Sequence, residues 1–170
     1  MSVQTVCLGW HWVPYRYSRI AEDVDGAPVT PFPEWLGDLG QRAIMAAYDD
    51  PALATGYRPD VALANFYEGP ARMGMHQDKD ERDDAPIVSV SIGDAGVFRF
   101  GNTSNRNRPY TDVELRSGDL FVFGGPSRSA YHGVPRILPG TAGPAVGLAH
   151  GRLNITMRVT GLTGAEPASE

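Results

Sequence analysis

Hydrophobic and polar residues follow two periodicities along the chain. Within PFPEWLGDLGQRAIMAAYDD, across residues 33–48, Leu36, Leu39 or Gly40, Ala43 and Ala47 recur at three- and four-residue spacing. Prolines stand at the start of the run, where a missing N–H costs no helical hydrogen bond, so the segment predicts one helix. Downstream the spacing shortens to that of strands: VALANFY, IVSVSIG, GVFRFG, DVEL, DLFVFGG and RLNITMRV. Glycine, proline, asparagine and aspartate separate them. A helix followed by evenly spaced strands predicts a mainly β fold, an antiparallel double-stranded β-helix (jelly roll) with the N-terminal helix packed on one sheet. Ahead of the helix, LGWHWVPYRYS reads as an aromatic-packed strand pair, with a stacking platform for a flat ligand as the alternative. The small, polar residues 161–170 predict a disordered tail.

Composition narrows the class. With 170 residues, 42% of them hydrophobic, the chain is sized for a single domain over 1–170 with its own core. No segment approaches the roughly 18 apolar residues of a membrane helix. The N-terminal residues lack the basic and long apolar regions of a secretory signal, so a cytoplasmic location is expected. Cys7 is the sole cysteine, which excludes internal disulfides, cysteine-rich zinc sites and cysteine-bound iron–sulfur clusters within the chain. A net charge of −5 argues against indiscriminate binding to nucleic acid. Lys79 is the one lysine, and Arg99, Arg106, Arg108 and Arg116 cluster in sequence, either as ordinary surface charge or as a binding face.

Candidate chemistry concentrates in MGMHQDKDE, residues 73–81. Charge-dense runs are usually solvated loops. His76 and Asp78, however, are two apart, and in an extended segment both point to one face. A third donor is available in His132 of SAYHGVPRI. Two histidines and a carboxylate make the facial triad of non-haem Fe(II) oxygenases, which leaves positions open for a co-substrate and dioxygen. RLNITMRV supplies a second element: Arg152, Asn154, Thr156 and Arg158 share one register, and Leu153, Ile155, Met157 and Val159 the other. Two arginines flanking an asparagine suit a small dianion, and beside a triad iron that points to 2-oxoglutarate.

The ordered set HQDKDE, PIVSVSIG, GVFRFG, GDLFVFGG, YHGV and RLNITMR resembles the AlkB family of Fe(II)- and 2-oxoglutarate-dependent dioxygenases, in its bacterial branch that repairs alkylated nucleobases. The resemblance runs from about Leu8 to Arg158. It implies that His76, Asp78 and His132 bind iron, and that Arg152, Asn154, Arg158, Asn65 and Tyr67 bind 2-oxoglutarate. It further implies that Trp10 stacks on the base, that Tyr15 lies near the nucleotide, that Asp80 with Glu81 reads the damaged base, and that Arg106 contacts base or phosphate. Because LGW lies so near the first residue, an abbreviated substrate lid is expected.

The implied activity is oxidative dealkylation of N-alkylated nucleobases in DNA, with RNA as a further substrate class. Fe(II), 2-oxoglutarate and dioxygen are consumed or held, and aldehyde, succinate and carbon dioxide are released. The target base is flipped out or comes from a single strand. A monomer without membrane attachment is expected. Two other readings compete: an oxygenase of the same fold acting on a protein side chain or small molecule, and a non-catalytic binding module.

Overall fold

A computed structural model describes residues 3–14 and 16–162. The tail beyond residue 162, expected to be disordered, lies outside the described residues, as does Tyr15. In chain order the elements are β1 (Gln4–Leu8), β2 (His11–Val13), β3 (Arg16–Ser18), α1 (Glu34–Tyr48), α2 (Pro51–Gly56), β4 (Val61–Tyr67), β5 (Met73–His76), β6 (Ile87–Gly93), β7 (Ala95–Gly101), β8 (Tyr110–Leu115), β9 (Leu120–Phe123), β10 (His132–Leu138) and β11 (Arg152–Arg158). They build a five-stranded sheet in the order β1-β4-β11-β6-β9, a four-stranded sheet in the order β5-β10-β7-β8, and the hairpin β2-β3. All named pairings are antiparallel. This is the expected jelly roll.

The predicted helix is α1, with Pro33 in extended conformation just before it. Its buried stripe is Leu36, Gly40, Ala43 and Ile44. Ala47, assigned to that stripe from spacing, is exposed. Gly40 is needed for close approach, since a Cβ there would sit 2.8 Å from the Tyr57 ring. The stripe packs on Ala62, Val88, Val90 and Met157, which are the outer face of the five-stranded sheet. Burial of these side chains, each contributing about 1.5–3 kcal/mol for a large aliphatic one, fixes the helix to that face.

The inner face of the same sheet is polar. Tyr67 pairs with Arg152, and Asn65 with Asn154, across β4 and β11, so a row of polar side chains crosses the sheet centre. Four segments were not evident from spacing: β1, β5, β10 and α2. β1 is half-exposed and β5 short, and α2 is a six-residue helix started by Asp50, whose carboxylate accepts from the N–H groups of Ala52 and Leu53. No helix among the described residues is long and apolar enough to cross a membrane.

Candidate active site

The β5–β10 register sets His132 directly opposite His76, with ring centroids 4.5 Å apart. Gly133 makes this close pairing possible, because a Cβ there would meet the Gly74 carbonyl oxygen at 2.9 Å. Each histidine donates its Nδ1–H to the carbonyl two residues back, His76 to Gly74 and His132 to Ala130, both at 2.9 Å. A carbonyl can only accept, so Nδ1 carries the proton and the Nε2 lone pair faces the site. Those Nε2 atoms lie 3.5 Å from the two oxygens of Asp78, His76 from Oδ1 and His132 from Oδ2. At that length neither contact is a good hydrogen bond. Asp78 is buried, and its Oδ2 has no hydrogen-bond partner. Among the described residues this is the one cluster whose donor atoms converge for a metal, all within 4.8 Å of one another.

Arg158 sets the charge state of the cluster. Its Nη2 meets Asp78 Oδ1 at 2.8 Å. Burial would raise the Asp78 pKa, but the Arg158 guanidinium, with both histidines, holds the carboxyl well below its usual range. Burial likewise disfavours protonated His76, but the negative Asp78 carboxylate beside it, together with the Gly74 carbonyl, outweighs burial and leaves that pKa raised.

A cavity of about 610 Å³ opens beside the cluster and is lined from both sheets. Asn65, Tyr67, Asn154 and Arg158, four of the five residues expected at 2-oxoglutarate, border it. The Asn65 amide oxygen accepts from Thr5, and the Asn154 amide donates to Ser89 and to the Val90 carbonyl. Burial pushes the Tyr67 pKa up to about 12, so its hydroxyl stays a neutral donor. Arg152 does not border the cavity. It lies at 1% exposure next to Tyr67 and donates only to neutral acceptors, Ser91 Oγ at 2.7 Å and the backbone carbonyls of Leu115 at 3.1 Å and Asp94 at 3.3 Å. Among the described residues no carboxylate pairs with it, and its Nε–H has no partner.

On the opposite side the residues expected to face a base divide. Asp80 and Arg106 border the cavity. Trp10 does not: it is buried against Val61 and Leu63, donates to Asp60 at 3.0 Å and lies under the Arg19 guanidinium. Trp12 borders the cavity instead and donates its Nε1–H to Asp80 Oδ2 at 2.8 Å. Glu81 is turned away, its side chain 0% exposed between Arg128 and Arg158. Tyr131, not singled out from sequence, also borders the cavity, with Arg106 above its ring.

Residues 1–158 match the 2OG-Fe(II) oxygenase superfamily. Escherichia coli Alpha-ketoglutarate-dependent dioxygenase AlkB is 39% identical over 158 residues, covering 91% of this chain and 68% of that protein. The chain belongs to the AlkB family of 2OG-Fe(II) oxygenases. An Arabidopsis thaliana relative, DNA N(6)-methyladenine demethylase ALKBH1D, is 34% identical over 177 residues, with 93% of this chain covered. The chain spans only 40% of that relative's length. Among solved structures, that of OsALKBH1 superposes with a TM-score of 0.81 at 36% identity, covering 94% of this chain and 79% of its own.

The AlkB-family cofactors fit the residues present. His76, Asp78 and His132 are the nitrogen and oxygen donors that suit Fe(II), and the unpartnered Asp78 Oδ2 is the atom a cation would satisfy. Arg158 and the row Asn65, Tyr67, Asn154 at the cavity suit the carboxylates of 2-oxoglutarate, and Arg152 adds a buried positive charge behind Tyr67. Trp12 belongs to LGWHWVPYRYS, the segment with a stacking platform as its alternative reading, but the base-stacking assignment falls on Trp10, two residues before it. Tyr131 was missed although it adjoins His132.

Proposed function

We propose that this AlkB-family chain is an Fe(II)- and 2-oxoglutarate-dependent dioxygenase that oxidatively dealkylates N-alkylated nucleobases in DNA or RNA, taking them from a single strand or flipped out of a duplex. The observation that carries this reading is the meeting of the His76, Asp78 and His132 donors with the Trp12–Asp80 pair around one cavity. With iron, 2-oxoglutarate and dioxygen bound, the centre supplies an oxidant that hydroxylates the N-alkyl carbon, and the product loses aldehyde to restore the base.

The chain's own residues hold, orient and shield. His76, Asp78 and His132 would hold the metal through two imidazole nitrogens and a carboxylate oxygen. Arg158 and the amides of Asn65 and Asn154 orient the co-substrate, and Arg152 supplies the buried counter-charge behind Tyr67. Trp12 offers a flat ring to a base, and Asp80 a carboxylate to a cationic alkylated one, an attraction that grows as water is excluded. Phe98 and Phe123 give the cavity an apolar wall.

Incubation with Fe(II), 2-oxoglutarate, ascorbate and a methylated single-stranded oligonucleotide tests the proposal by release of succinate and formaldehyde. Succinate without oligonucleotide-dependent formaldehyde would redirect the substrate assignment, and no succinate from folded protein would end the oxygenase reading. His132→Ala and Asp78→Ala are each expected to abolish both products.

A further inference from the structure

Asp80 and Glu81 are neighbours in sequence but face opposite ways. Asp80 borders the cavity and accepts from Trp12. Glu81 points inward, where one oxygen accepts from Arg158 Nη1 at 3.0 Å and from the Tyr17 hydroxyl, and the other from Arg128 Nη2 at 3.0 Å. Both arginines continue to Asp78. Arg158 reaches its carboxylate through Nη2 at 2.8 Å, and Arg128 donates Nη1 to its backbone carbonyl at 2.6 Å. One buried carboxylate thus holds two guanidinium forks, and the forks hold the side chain and the backbone of the central metal ligand.

We propose that Glu81 is a positioning residue for Asp78, acting through Arg158 and Arg128, and not a reader of the substrate base. The inference rests on the metal site of the proposed function but not on its substrate. The physical argument is one of divided charge. Arg158 shares a single positive charge between Glu81 and Asp78. Without the Glu81 charge, Arg158 pairs with Asp78 alone and competes with a cation for that carboxylate. Arg128 at the same time keeps its Nε–H on the Ala85 carbonyl at 2.9 Å but loses the charged anchor that holds Nη2, and with it the orientation of Nη1 against the Asp78 carbonyl. Asp78 Oδ2, which carries no hydrogen bond, then loses both its orientation and part of its donor strength.

The test is a Mn(II) titration of the whole metal-free chain, with free Mn(II) read by electron paramagnetic resonance and no nucleic acid present. Glu81→Gln keeps the side-chain shape and is expected to weaken Mn(II) binding about 10-fold or more, the usual effect of removing a partner behind a metal ligand. Arg128→Lys serves as the second variant, since a single ammonium cannot span the Asp78 carbonyl and Glu81 together. It is expected to weaken binding in the same direction even if Glu81→Gln fails to fold. A Mn(II) affinity within about twofold of the parent in folded protein, with a raised KM for alkylated oligonucleotide, would overturn the proposal and return Glu81 to base reading. A loss of melting temperature alone, with unchanged affinity, would overturn it as well. Because the titration contains no oligonucleotide, a failure of the dealkylase reading leaves its outcome intact.

Discussion

Arg152 takes a positive charge to 1% exposure with only neutral acceptors around it and one N–H unspent. Burial lowers its pKa, the direction expected of a cation without a counter-ion. Such an arrangement is costly unless an anion arrives, so the residue predicts a co-substrate-dependent stability. In a thermal melt, saturating 2-oxoglutarate should raise the melting temperature of the parent, by about 2.7 kcal/mol of stability at a hundredfold excess over Kd. Arg152→Met should lose most of that rise while its co-substrate-free melt changes little, because removing an unpaired buried charge offsets the hydrogen bonds lost. A variant still stabilised as strongly as the parent would show that the anion binds elsewhere. The arginine itself was legible in the alternation of RLNITMR, whereas its lack of a partner was not, since only the β11 neighbours decide that. The two tryptophans show the same limit. Trp10 and Trp12 are two apart and would share a face in a regular strand. The chain bends at Gly9 and Trp10 before β2 begins, so Trp10 goes into the core and Trp12 to the cavity.

The hairpin β2–β3 is the element that joins the substrate side to the metal loop. Trp12 and Tyr17 are cross-strand partners, and they donate to the consecutive acids Asp80 and Glu81. A two-stranded hairpin is marginal alone, so these contacts hold it in place. The Tyr17 hydroxyl is buried with the Glu81 carboxylate, and burial raises its pKa, keeping it a donor. Tyr17→Phe removes a hydrogen bond to a charged group, worth about 1.5–3 kcal/mol. The expected result is faster hydrogen exchange of the amides of residues 11–18, with the β11 amides unchanged. Equal exchange in parent and variant would mean the hairpin is held by its packing alone. The aromatic strand pair was readable from its composition. Its pairing with HQDKDE was not, because contacts across some 60 residues follow from the turn geometry around them. β1 and β5 escaped notice for a simpler reason: four or five residues with an exposed side give too short a period to distinguish from loop.

At the scale of the whole molecule, the two sheets divide the labour. The four-stranded sheet carries both histidines, the five-stranded sheet carries the polar row for the co-substrate, and Arg158 crosses from the second to Asp78. The sheets are therefore joined at the site by buried ion pairs, Arg158 with Asp78 and Glu81, and Arg128 with Glu81. Burying these charges gains little over an apolar core, but breaking one pair is expensive. That makes the fold acid-sensitive in a definite direction. Burial opposes ionisation of Glu81, yet Arg158, Tyr17 and Arg128 hold its pKa below the ordinary 4.5. A carboxylate depressed in the folded state contributes stability that is present above its unfolded pKa and lost as the pH falls through the folded one. Glu81→Gln should thus cost about 3 kcal/mol at neutral pH, near the low end for a broken buried pair because Arg158 retains Asp78. Calorimetry of the metal-free chain between about pH 7 and 3 should show the parent losing stability below about pH 4.5 more steeply than the variant, so that the two curves approach. Curves that stay parallel through that range would mean Glu81 contributes its packing and not its charge.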